Sequence, residues 1–126
     1  MKITQLNHVA IGVKDVKVTN KFYEEVLGLK QIPRPNFGFP GTWFRLGVDQ
    51  ELHIIQVAAD APDVHDATRG KHFALMVDDM DATQAHLKSH NISYTGPHHR
   101  PDGAFQVFFK DPDGNMIECC TAPKAG

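Results

Sequence analysis

The chain contains a version of itself. Setting His8 on His72 also sets Ala10 on Ala74, Val13 on Val77, Asp15 on Asp79 and Thr19 on Thr83. Late in each half the shift grows by one residue, and Leu52-His53-Ile54 falls on Ile117-Glu118-Cys119. A repeated supersecondary unit folds the same way each time and buries its apolar face within the whole. Each half reads strand-helix-strand-strand-strand. The expected fold class is therefore α+β, two βαβββ modules in tandem.

Side chains alternate along a strand, and this assigns the faces. In Leu6–Val13, one face carries Leu6, His8, Ala10 and Gly12. The other carries Asn7, Val9, Ile11 and Val13, is bulkier, and should pack on a helix. Asp15 is the expected N-cap of that helix; Val18, Phe22 and Val26 follow at four-residue spacing, and Gly28 stops it. Next come strand Leu29–Pro33, the Pro- and Gly-rich loop Arg34–Gly41, and a hairpin of Thr42–Gly47 and Glu51–Val57 joined through Val48–Gln50. The second half starts with strand His72–Val77. A helix over Met80–His90 follows, with Thr83 and Leu87 inward and Asn91 at its stop. Ile92–Thr95 is a short strand and Gly96–Gly103 a loop. The last hairpin pairs Ala104–Lys110 with Met116–Cys120, and its Asp113-Gly114 suits a tight primed turn. Module one spans 1–58, a connector without periodicity 58–70, and module two 71–122, within one domain of 126 residues.

Charge and composition remove several function classes. With 13 basic and 15 acidic residues the formal charge is −2, and neither sign forms a run. That leaves no electrostatic footprint for nucleic acid or an anionic membrane. No stretch approaches the roughly 20 apolar residues of a membrane span. The N-terminus, MKITQLNHVAIGV, lacks the apolar core and cleavage site of a signal peptide. Cys119 and Cys120 are neighbours on opposite strand faces. They build no disulfide framework, which fits a reducing cytoplasm.

Four polar residues stand on faces that should turn inward. Glu118 lies in the otherwise apolar run Met116–Cys120. A carboxylate on a half-buried face is costly unless a cation meets it. His53 takes the same place in the first half, and His8 and His72 open the two halves. Each module thus offers one metal-type ligand from its first strand and one from its last. A pseudo-twofold arrangement of the modules would bring His8, His53, His72 and Glu118 to one centre. Three neutral imidazoles and a carboxylate suit one borderline divalent ion: Zn, Ni, Co, Mn or Fe. The competing reading is a hydrogen-bonded polar pocket, since a single strand histidine more often serves that way.

The stretches LNHVAIGVKDV with FYEEVLGL, LHII, HFALMVDDMDA and VFFKDPDGNMIEC span nearly the whole chain. Together they resemble the vicinal-oxygen-chelate superfamily, which includes glyoxalase I, methylmalonyl-CoA epimerase, fosfomycin-resistance enzymes, extradiol dioxygenases and bleomycin-resistance proteins. The resemblance implies paired βαβββ modules whose mixed sheets curl around a metal cleft. It implies metal ligands at His8, His72 and Glu118. His53 matches a position where glyoxalase I and the epimerase carry glutamate or glutamine, so the family's usual base is missing there. The implied chemistry is of the lyase or isomerase type: a small substrate chelates the ion through vicinal oxygens, and an enediolate-like oxyanion is stabilised. Glu118 takes part as a ligand. Glu51, on the face of His53, is the candidate base, set against the plainer reading of a solvated strand-end carboxylate. Two alternatives remain. One is an extradiol-type Fe(II) dioxygenase holding iron through His8, His72 and Glu118. The other is a bleomycin-resistance-like protein that binds or sequesters without catalysis. A homodimer is expected, with no nucleic-acid or membrane partner.

Further residues are candidates for substrate contacts. Trp43 and Arg45 share a strand face with the expected cleft, and Arg100, beside His98 and His99, suits a carboxylate or phosphate end. Phe37 and Phe39 could cover an apolar substrate or a subunit interface. His86 and His90 share a helix face and are read as solvated for want of a third ligand. Cys120 shares the face of Glu118 and is read as packing.

Overall fold

The apolar face of the first sheet demands a cover, and the first helix supplies it, packing on the hairpin strands. In the computed structural model, which describes residues 1–2, 4–60 and 71–124, the order is β1 (His8–Val13), α1 (Val16–Glu25), β2 (Gln31–Ile32), β3 (Gly41–Leu46) and β4 (Gln50–Gln56). Then follow β5 (Phe73–Met76), α2 (Met80–Ser89), β6 (Tyr94–His99), β7 (Phe105–Lys110) and β8 (Met116–Cys120). Residues 61–70 of the expected connector lie outside the described residues. The chain divides into two units, Met1–Pro62 and Asp63–Gly126.

The first unit is a four-stranded sheet in the order β1-β4-β3-β2, with β1 parallel to β4 and the other pairs antiparallel. Asp15 caps α1 as expected, its carboxylate accepting from the backbone of Lys17 and Val18. Helix α1 buries Thr19, Phe22 and Tyr23, and Val26 follows at its C-cap. This stripe runs at steps of three and four residues, as a helix face must. Val18, first of the four-residue series, is 51% exposed; a strict four-residue step drifts off the face, and Thr19 occupies the place instead. Phe44, Leu52 and Ile54 of the sheet are fully buried, and Tyr23 meets Phe44 ring to ring at 5.9 Å. Burial of such side chains is worth about 1.5–3 kcal/mol each, which makes this layer the unit's main source of stability.

The second unit repeats the plan: β5-β8-β7-β6, with β5 parallel to β8. Asp79 caps α2, whose buried residues are Met80 and Leu87. Thr83 is only half-buried. Asn91 ends the helix at φ 58°, a left-handed conformation that asparagine tolerates. The registers of the two units correspond closely. His53 lies opposite Ala10 and Trp43, and Glu118 lies opposite Ala74 and Phe108. The sequence repeat is therefore a repeat of strand register, and the fold is the tandem βαβββ α+β architecture.

Two expectations need correction. Gly96–Gly103 is not wholly a loop: β6 continues to His99, with a register shift between Thr95 and His98. Pro97 offers no ladder N–H, but β6 is an edge strand and the irregularity absorbs the Gly-Pro pair. The last hairpin does not close in a two-residue primed turn. Lys110 pairs with Met116, so five residues connect the strands. Asp111 organises them: its Oδ1 accepts from the N–H of Asp113 and of Asn115, and its Oδ2 from Asn115 Nδ2. Gly114 supplies the positive φ, 82°.

Candidate metal-ligand positions

In the first unit, the parallel pairing of β1 and β4 sets His8 diagonally beside His53. Their rings stack with centroids 4.0 Å apart and planes 15° apart. Trp43, directly across from His53 on β3, stacks on its other side at 4.1 Å and 4°. The ring series continues through Phe37, 5.9 Å from Trp43, to Phe39, 5.7 Å further on. Arg34 holds its guanidinium 4.9 and 5.0 Å from the centroids of Phe37 and Phe39, within cation–π range. His8 Nδ1 and Asn7 Oδ1 are 2.7 Å apart. An amide oxygen only accepts, so Nδ1 carries the proton and the Nε2 lone pair remains for a ligand.

Glu51 is not a solvated strand-end carboxylate. Its side chain is 21% exposed, and its Oε1 lies 2.8 Å from His53 Nε2. Its Oε2 lies 3.7 Å from Nη1 of Arg45, the residue across the β3–β4 ladder. His53 is thus held on both faces by rings and at its edge by a carboxylate.

In the second unit, His72 Nε2 stands 3.2 Å from Glu118 Oε1. Glu118 is nearly buried, with 8% of its side chain exposed. The edge of His72 meets Phe108 at 5.8 Å, and His98 approaches the same ring at 6.2 Å. Arg100 is tied to Asp102 by a 2.6 Å ion pair and lies close enough to act on Cys120. Burial raises the Cys120 thiol above its ordinary value; the Glu118 carboxylate raises it further, and Arg100 opposes the shift. Burial likewise pushes Cys119 up to about 12, helped by Cys120 and Glu118. Neither thiol is a thiolate at neutral pH, and packing is their role.

The four expected ligands therefore appear as two pairs, one in each unit. Among the described residues, no set of three or more His, Cys, Asp or Glu side chains gathers as one metal-holding group. Two ligands bound at about 2.0–2.2 Å and at near-right angles stand about 3 Å apart. The 3.2 Å between His72 Nε2 and Glu118 Oε1 meets that spacing. His8 offers its Nε2 lone pair, and its ring stacks on that of His53. The stack and the Glu51–His53 bond escaped the sequence reading. Glu51, His53 and Trp43 all sit on one face of a single hairpin, and that register was the available signal.

Comparison with known proteins agrees with this architecture. Residues 5–119 match the glyoxalase/bleomycin resistance protein/dioxygenase superfamily profile, and the chain belongs to that superfamily. Among characterised sequences it is 30% identical over 127 residues to glyoxylase I 4 of Arabidopsis thaliana, covering 95% of this chain and 72% of that one. Among solved structures, a Bacillus anthracis protein provisionally assigned to the glyoxalase family superposes with a TM-score of 0.82 at 28% identity, covering 98% of each chain. TnmS3, an antibiotic-binding protein from Streptomyces sp. CB03234, superposes with a TM-score of 0.79 at 25% identity, covering 98% of this chain and 99% of that one.

Proposed function

We propose that this chain is a metal-dependent enzyme of the lyase or isomerase type that acts on a small substrate with two adjacent oxygens. His8, His53, His72 and Glu118 would hold one divalent ion: Zn, Ni, Co, Mn or Fe. When bound, the ion supplies positive charge to an oxyanion developing on the substrate. The observation that carries the reading is the shared register, which puts His53 opposite Ala10 and Glu118 opposite Ala74; Ala10 lies two residues beyond His8, which opens β1, and Ala74 two beyond His72, which immediately precedes β5. A structural pocket would not require a carboxylate and an imidazole at equivalent places beside His8 and His72.

Glu51 is the residue assigned to move the carbon-bound proton. It is the carboxylate bonded to His53, which itself takes the place of the family's usual glutamate or glutamine. Its second oxygen faces Arg45, which would also orient an anionic part of the substrate. Trp43 forms a wall of the same face. Arg100 is the candidate for a carboxylate or phosphate end, and binding there would compete with Asp102. On this reading the protein is cytoplasmic and forms a homodimer. Free cysteines suit the first, and Met76, 66% exposed on an edge strand, suits the second. No helix among the described residues is long and apolar enough to cross a membrane.

The test is proton exchange. Metal-loaded protein in heavy water should wash deuterium into the carbon acid of an α-hydroxycarbonyl or thioester panel, and Glu51→Gln should abolish the exchange while leaving metal content intact. Exchange at full rate in Glu51→Gln removes Glu51 as the base. The aromatic series Trp43-Phe37-Phe39 supports a second reading, sequestration of an apolar drug, as the name of TnmS3 suggests for that protein. Thermal stabilisation by aromatic drugs without metal, and no turnover with it, would favour that reading. Oxygen uptake with catechols under Fe(II) would instead favour a dioxygenase.

A further inference from the structure

Helix α2 carries two imidazoles one turn apart. His86 and His90 are both exposed, and their ring centroids stand 4.6 Å apart with planes inclined by 56°. We propose that this pair chelates a borderline divalent cation (copper, nickel or zinc) at a second site that uses none of His8, His53, His72 and Glu118. Two imidazoles bound to one ion at about 2.0–2.1 Å and at the near-right angles of copper or nickel have centroids about 4.5 Å apart, close to the observed spacing.

The backbone holds the two positions firmly. His90 is the C-cap of α2, and its N–H reaches the carbonyls of His86 and Leu87 at 3.3 and 3.2 Å. Asn91 then turns the chain away. The carboxyl end of a helix carries partial negative charge, which favours a cation at this end. Lys88 lies between the histidines in sequence, but residues two apart on a helix do not face each other, so its charge is directed elsewhere. Among the described residues no third His, Cys, Asp or Glu joins the pair. An ion held by two imidazoles exchanges readily. The order of affinity should be copper above nickel and zinc, as for nitrogen donors generally.

Nickel chloride is the probe. The metal-stripped full chain is titrated with it while backbone amide resonances are followed, beside His86→Ala and His90→Ala. Paramagnetic broadening should centre on the C-terminal turn of α2, at residues 86–91. Since even an outer-sphere partner of a metal site is worth roughly tenfold to 100-fold in affinity, loss of either histidine should weaken nickel at this turn by at least that factor. His86→Gln serves as a second variant that keeps helix propensity. Absence of local broadening would overturn the proposal, as would an unchanged affinity in either alanine variant. Helical content by circular dichroism separates a lost site from a lost helix.

Discussion

Replacement of Asp111 by alanine should destabilise the protein more than its position in a turn suggests. The residue is 5% exposed and sits at the base of the hairpin that carries Glu118. It accepts at 2.9 Å from the N–H of Asp113, at 2.8 Å from the N–H of Asn115 and at 2.9 Å from Asn115 Nδ2. Bonds to a charged acceptor contribute about 1.5–3 kcal/mol each, and a buried donor left alone costs about 1–3 kcal/mol. These terms do not add, and the partly exposed Asp113 recovers its bond from water, so the expected loss is about 3–4 kcal/mol. That is a large share of the ~5–15 kcal/mol typical of a domain. Asp111→Asn keeps an oxygen for the two backbone donors but turns an amide toward Asn115 Nδ2, and should lose about 1–2 kcal/mol. Urea unfolding followed by circular dichroism reads both as a shift of midpoint at unchanged slope. If Asp111→Ala fell within 1 kcal/mol of the parent, or Asp111→Asn were as damaging as Ala, the hydrogen-bond argument would be refuted.

Other consequences are as direct. A Cβ on Gly41 would stand 2.5 Å from the backbone oxygen of Ile54, so Gly41→Ala should cost about 1–3 kcal/mol by urea unfolding, and a neutral effect would show that β3 and β4 separate freely. The neutral Cys119 thiol is favoured by the fold. Its contribution is therefore complete below the ordinary thiol value of 9.0 and is lost as pH rises from there toward about 12. The native chain should accordingly react with thiol reagents at pH 8 only as fast as it opens, and rapid labelling would contradict the burial.

The parts of the fold visible in the sequence are those set by repetition and alternation. His8 on His72 and His53 on Glu118 predicted one repeated strand-helix-strand-strand-strand plan, and one register serves both units. Asp15, Asp79 and Asn91 marked helix ends through local hydrogen bonding and backbone preference, which need no tertiary information. The misses are tertiary in origin. Strand β6 runs past Gly96-Pro97 because an edge position removes the penalty for a missing donor. The Asp-Gly pair in the last hairpin was a true turn signal, but Asp111 widened the turn by satisfying its inner donors. The candidate site was legible as residues on strand faces and not as contacts. Alternation puts Glu51, His53 and Trp43 on one side of a hairpin, while only rotamers decide that His53 stacks on His8 and bonds Glu51.

The most direct test of the central claim is elemental analysis of protein purified without chelator or affinity metal, reconstituted with each candidate ion and desalted. Desalting removes the exchangeable ion at His86 and His90. The account predicts about one divalent ion retained per chain, lost in Glu118→Ala and weakened in His53→Ala by at least roughly tenfold. No retained ion under any reconstitution would contradict it. So would an ion count indifferent to Glu118→Ala, and His72, Glu118, His8 and His53 would then be a hydrogen-bonded pocket.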